Sequence, residues 1–138
     1  GIDIKKNNII IANQLLNKSN LRNVNFIHGD INNQNDIKAD YVILSNILEH
    51  IENRTEFLKN IQKTSNSKIF LIRVPNFERD WQIAMRKELG IYYFSDVDHK
   101  IEHTVCDLKK DLDNAGFIIK ETITAWGEIW ANCEYENS

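Results

Sequence analysis

Residues 40–51 read Asp40-Tyr41-Val42-Ile43-Leu44-Ser45-Asn46-Ile47-Leu48-Glu49-His50-Ile51. Tyr41 to Leu44 is an unbroken apolar run with two β-branched residues, the pattern of a strand buried on both faces. It stops at the small polar pair Ser45-Asn46, and an acid and an imidazole follow directly. Open α/β sheets bind ligands outside the carboxyl ends of their strands, so this stretch predicts a site as well as a strand.

Outward from it, strands alternate with helices. Ile2-Asp3-Ile4 is a short apolar run, and within Lys5–Asn17 the residues Ile9, Ala12, Leu15 and Leu16 recur at helical spacing. Val24 to Ile27 reads as a strand closed by the turn pair Gly29-Asp30. Asn53 to Gln62 places Phe57, Leu58 and Ile61 on one helix face, with Asn53 as N-cap. Lys68 to Val74 is a second buried-type strand, stopped by Pro75, the sole proline. Phe77–Leu89 predicts a helix ended by Gly90, and Ile91–His103 is irregular, rich in aromatic and ionisable residues. Thr104 caps a helix over Val105–Ala115 that Gly116 ends, and Phe117–Ile123 and Glu128–Cys133 form a hairpin about Trp126-Gly127. The order predicts an α/β fold: a doubly wound, mostly parallel sheet with an antiparallel C-terminal hairpin. It reads as a single domain over residues 1–138, with residues 75–103 as a lid over the strand ends.

Composition narrows the function classes. Hydrophobic residues are 42% of the 138, enough for a core and against disorder. Lys and Arg number 17 against 20 Asp and Glu, a net charge of −3, which disfavours a nucleic-acid partner. No apolar run approaches the ~18 residues of a membrane span. Cys106 and Cys133 form neither a CxxC nor a zinc-type spacing, so reduced thiols and a cytoplasmic location are expected.

Two acids mark candidate binding positions. Asp3 ends an early strand ahead of a helix, where a carboxylate matches a ribose diol with two acceptor oxygens; the structural alternative is an acid complementing the helix dipole. Asp30 follows the next strand, placed to accept from an adenine amino group or to stabilise its own turn.

With these segments together the chain resembles a class I S-adenosylmethionine-dependent methyltransferase of the small-molecule type. The resemblance rests on Gly1-Ile2-Asp3, Gly29-Asp30-Ile31, Asp40-x-Val42 leading to Leu48-Glu49-His50-Ile51, and Pro75-Asn76. It continues through Asp98-His99 and His103-Thr104 to Leu108, Leu112 and Ala115-Gly116-Phe117, and so covers nearly the whole chain. It implies S-adenosylmethionine as cofactor, with Asp3 on the ribose hydroxyls, Ile4 on the adenine, Asp30 at the adenine amino group and Ile31 across the ring. It places Ser45 and Asn46 beneath the methionine arm and His50 facing the transfer site. There an imidazole titrating near neutrality suits proton removal from the acceptor, the structural alternative being a turn whose ring bonds backbone. Arg79, Tyr92, His99 and His103, in the lid, become candidate contacts to a small-molecule acceptor whose methylated atom is oxygen or nitrogen.

The chain also departs from the family. Its sequence has no glycine-rich turn to admit the methionine part of the cofactor, and its first strand corresponds to the family's second. In the family order 3-2-1-4-5-7-6, strands two and four then lack a shared neighbour. The expectation is a fragment short of a strand-helix unit of about 40 residues. Such a chain would bind cofactor poorly alone, be inactive as it stands, and self-associate through unpaired edges. A non-catalytic relative serving as an interaction module is the alternative. A dehydrogenase-like nucleotide binder leaves Leu48-Glu49-His50-Ile51 and the hairpin unexplained. Some relatives hold a divalent ion with Glu-x-x-Glu-His; here Asn46 stands at the first position, a poorer ligand. Glu49 and His50 remain, short of the three or four ligands a site needs, with His99 and His103 as conceivable additions, and no metal is expected.

Overall fold

The computed structural model describes residues 1–34 and 37–136. It divides into two compact units, Gly1–Ile37 and Lys38–Ser138.

In the first unit, β1 (Ile2–Asp3) and β2 (Ile27–His28) flank α1 (Lys6–Asn17). They pair in parallel, Ile2 with Ile27 and Asp3 with His28. The strand predicted over Val24–Ile27 is thus shorter and later, because β1 offers only two residues of ladder. α1 buries none of its side chains fully; Ile10, Ile11 and Leu15 are all exposed.

The second unit is a four-stranded sheet ordered β3 (Tyr41–Ser45), β4 (Ile69–Pro75), β6 (Glu128–Tyr135), β5 (Phe117–Ala125). β3 and β4 are parallel; β4–β6 and β6–β5 are antiparallel. The fold class is therefore as expected, α/β with parallel strands and an antiparallel C-terminal hairpin. In the family numbering the two sheets carry strands 3-2 and 4-5-7-6. The hairpin turns at Trp126 and Gly127, both at positive φ, which matches the twist of its strands.

Alternation along the strands separates the faces. Phe70, Ile72 and Val74 on β4 sit opposite Cys133, Ala131 and Ile129 on β6, all buried. Phe117 on β5 closes this face, its ring T-shaped on Phe70 at 4.6 Å. Against it lie α4 (Val105–Ala115), through Leu108, Leu112 and Ala115, and α2 (Arg54–Ser65), through Phe57, Leu58 and Ile61. Burial among these pushes the Cys133 thiol up to about 12, so it behaves as a small hydrophobe. The opposite face presents Ile43, Leu71, Ile123 and Trp130 around an open concavity of about 350 Å³.

Caps set the helix ends. Asn53 accepts from Glu56 N, and Thr104 and Asp107 form a reciprocal capping box. Gly116 takes φ 86° just past α4. The helix predicted over Phe77–Leu89 is instead a 3-10 turn (Phe77–Arg79) followed by α3 (Trp81–Glu88). Asn76 and Asp80 each accept from the backbone two residues on, so the second cap restarts the helix.

Asp111 of α4 accepts from Arg54 Nε, and His103 Nε2 lies 3.5 Å away. Burial alone would raise the Asp111 carboxyl; the His103 ring beside it and the bond from Arg54 outweigh that and hold it below the ordinary value. A carboxyl lowered by folding contributes stability that is complete above its unfolded value, 3.8 for an aspartate, and is lost as pH falls through the folded value. Acid titration of stability is expected to show this loss below about pH 4. Asp111→Asn should flatten that limb while lowering stability at neutral pH. An unchanged acid limb in the variant would remove Asp111 from the account.

Candidate active site

The residues that the sequence singles out fall in both units. In the first, Asp3 stands at the carboxyl end of β1, half-buried. Its Oδ1 accepts from Lys5 N at 2.6 Å and its Oδ2 from Asn8 Nδ2 at 2.8 Å. The Asn8 bond first, then the Lys5 bond, hold this carboxyl below its ordinary value, so it is an anion at neutral pH. Each oxygen keeps a lone pair for a further donor. Ile4 beside it is 67% exposed, an apolar side chain open to a flat ring. Asp30 lies two residues beyond β2, capping a 3-10 turn over Ile31–Asn33; its Oδ1 accepts from Asn32 N and Nδ2, and Ile31 is half-buried next to it.

In the second unit, Ser45 ends β3 and is exposed. Asn46 follows at φ 53°, a left-handed turn that asparagine tolerates better than most residues. Its N–H donates to Arg73 O at 2.9 Å, and its side-chain oxygen accepts from the Arg73 guanidinium. A 3-10 turn over Leu48–His50 then turns Glu49 inward and leaves His50 half-buried.

The loop after α3 meets this turn. Lys100 N donates to Glu49 O at 2.7 Å, and Phe77 N donates to His103 O at 2.7 Å. Between these two pins sits Glu102, whose side chain is 0% exposed. Its Oε1 accepts from Ser95 N at 2.7 Å, Ser95 Oγ at 2.8 Å and His99 Nδ1 at 2.9 Å; Oε2 accepts from Arg79 Nη1 at 2.8 Å. Burial would raise the Glu102 carboxyl, but these bonds, that of Ser95 N foremost, hold it below its ordinary value. Glu102 therefore fixes His99 by Nδ1 and leaves Nε2 as its outward nitrogen. The His99 ring stands edge-on to His50 at 4.7 Å between centroids. Glu49, 1% exposed, completes the group, and one donor atom from each of Glu49, His50 and His99 lies within 4.8 Å of the others. They line an open cleft of about 370 Å³ that Asn46, Arg79 and Glu128 also border.

Of the sequence candidates, the cleft thus gathers Asn46, His50, Arg79 and His99. Ser45 lies beside it on β3, bordering the concavity on the open sheet face. Tyr92 is elsewhere, exposed, its hydroxyl donating to Asp96 O. His103 is fully buried against Asp111 and does not border the cleft. Glu102 and Ser95 are not among the sequence candidates. The spacing of Glu102, three residues after His99, was the available signal.

A family profile of the methyltransferase domain matches residues 1–136. The chain belongs to this methyltransferase family. Among solved structures, the methyltransferase fold aligns with magnesium protoporphyrin IX methyltransferase from Synechocystis PCC 6803 with bound S-adenosylhomocysteine (SAH). That match has a TM-score of 0.74 and 17% identity over 99% of this chain and 63% of the other. An S-adenosylmethionine-dependent methyltransferase from Clostridium acetobutylicum ATCC 824 gives 0.72 and 11%, over 99% of this chain and 74% of that one. A small RNA methyltransferase gives 0.76 and 19%, over 99% and 20%. The chain therefore spans less than two thirds of two of these three structures. No curated protein sequence matches it. No described helix is long and apolar enough to cross a membrane.

Proposed function

We propose that this chain carries the ribose-binding and acceptor-activating parts of an S-adenosylmethionine-dependent methyltransferase acting on an oxygen or nitrogen of a small molecule. The observation that carries the reading is Asp3: an anionic carboxylate at the carboxyl end of β1, with open lone pairs and an exposed apolar neighbour in Ile4. When bound, the cofactor supplies an already activated methyl group on its sulfonium. The chain's residues then have three tasks. Asp3 accepts from the two ribose hydroxyls, while Ile4 and Ile31 pack on the adenine and Asp30 accepts from its amino group. Ser45 and Asn46 border the methionine arm. His50, in its group with Glu49 and His99, activates the acceptor atom for in-line attack.

The cleft at His50 has the size of small-molecule pockets, which start near ~300 Å³, and a net charge of −3 is unsuited to a polyanion. Both cysteines are free, which fits a cytoplasmic protein. The sequence lacks the glycine-rich turn that would hold the methionine arm, so binding by this chain alone is weak and its turnover negligible. Asp3→Ala is expected to weaken SAH binding about 10- to 100-fold, the loss of one or two bonds to a charged acceptor at ~1.5–3 kcal/mol. A saturation-transfer NMR titration measures it; an unchanged affinity would remove Asp3 from the cofactor site.

One observation favours a second reading, a non-catalytic relative acting as an interaction module. The open face of the second unit's sheet exposes Ile43, Leu71, Ile123 and Trp130 together, and such a patch promotes self-association. A folded chain with no response to SAH would favour it.

A further inference from the structure

Both carboxylate oxygens of Glu49 are buried and have no hydrogen-bond partner among the described residues. That state is costly, several kcal/mol for a buried anion by general estimates, unless a cation or proton meets it. The two groups that face it are imidazoles. His50 follows it in the turn, and His99 comes from the loop that the Lys100–Glu49 backbone bond draws in. One atom from each lies within 4.8 Å of the others, close to the donor spacing around a first-row divalent cation with bonds of roughly 2.0–2.2 Å. Glu102 holds His99 by Nδ1, the carboxylate–histidine arrangement that sets a metal-ligating tautomer and aims Nε2 outward. Glu128 adds a third buried carboxylate oxygen without a partner on the cleft wall, while the cation there, Arg79, is engaged by Glu102.

We propose that Glu49, His50 and His99 bind one divalent transition-metal ion. Two imidazoles and one carboxylate form a facial set that leaves positions open, and they suit Mn²⁺, Fe²⁺, Co²⁺ or Zn²⁺ better than the all-oxygen preference of Mg²⁺ and Ca²⁺. The expectation of no metal rested on Asn46 standing where a carboxylate would serve. His99, a conceivable further ligand in the sequence, is the residue that the loop brings to Glu49 and His50. With the ion bound, His50 would be a ligand rather than the base, and an acceptor hydroxyl held at an open position would lose its proton to solvent at lower pH. The use of the ion rests on the methyltransferase reading; its binding does not.

The test is titration of Co²⁺ into the metal-free full chain, followed by visible d–d absorption, with no cofactor present. The expected result is saturation at one equivalent and a spectrum with nitrogen ligation. Glu49→Gln and His99→Ala should each weaken binding at least 10-fold, and Glu102→Gln, which only orients His99, about 10- to 100-fold. His28→Ala, in the first unit, should change nothing. Circular dichroism identifies any variant that fails to fold, and the near-isosteric Glu49→Gln then decides. Absence of saturable absorption, or binding undiminished in Glu49→Gln, overturns the site. SAH binding measured on the same samples separates the two claims, since a chain that binds SAH but not Co²⁺ loses only the metal.

Discussion

Glu102→Ala is expected to destabilise the second unit by about 3 kcal/mol, the low end of the cost of breaking a buried ion pair from one side. Four donors converge on this carboxylate from three places: Arg79 before α3, Ser95 with two groups, and His99. Its side chain is fully buried, whereas Arg79 is 20% exposed and so recovers part of its hydration when freed; hence the low end. In a unit of about one hundred residues this corresponds to a fall in Tm of roughly 10 °C or more. The effect should also be local. Amide exchange in residues 91–103 should accelerate beyond the global change, because the pin between the loop and the 3-10 turn of Glu49 is lost. Glu102→Gln, which keeps the shape and most acceptors, should retain much of the stability. A melt within about 2 °C of the parent for Glu102→Ala would show that the network does not hold the loop.

Phe70→Ala has the largest expected effect, a loss of about 3–5 kcal/mol. The ring is 0% exposed in the middle of β4, T-shaped on Phe117 and opposite Cys133 on β6. Truncation removes apolar burial and leaves a void between sheet and helices that the paired strands cannot close. Domains of this size hold about 5–15 kcal/mol in total, so the variant should be marginal at 37 °C. Ile43→Ser is the contrast: at 69% exposed on the open face it should shift stability by no more than ~0.5 kcal/mol. Urea titrations of both variants measure the difference. Comparable midpoints would mean that the helix-covered face is not the core.

How much of this was legible in the sequence depended on the range of the forces involved. The strands at Tyr41–Ser45 and Ile69–Pro75 were, because burial on one or both faces leaves contiguous apolar runs. So were the Asn53 and Thr104 caps and the Gly116 stop, which are local chemistry. The break at Asp80 was not, since a second Asx cap competes with a continuous helix on nearly equal terms. β2 was misplaced because its length is set by a two-residue partner far away in sequence. The positions of Asp3 in the first unit and of His50 in the second, each following a strand, were legible. His99 was a candidate by its place in the lid, but its approach to His50 depends on a loop pinned by Lys100 N on Glu49 O, a contact that the sequence does not encode. The open sheet face was equally hidden: Ile43 and Leu71 look like core residues in a run where every position is apolar.

The most direct test of the central claim is saturation-transfer NMR of SAH with this chain, which detects weak binding that calorimetry misses. The account predicts saturation strongest on the ribose and adenine protons, displaced by S-adenosylmethionine and abolished in a folded Asp3→Ala variant. No transfer to SAH, or transfer equal in parent and Asp3→Ala, would contradict it.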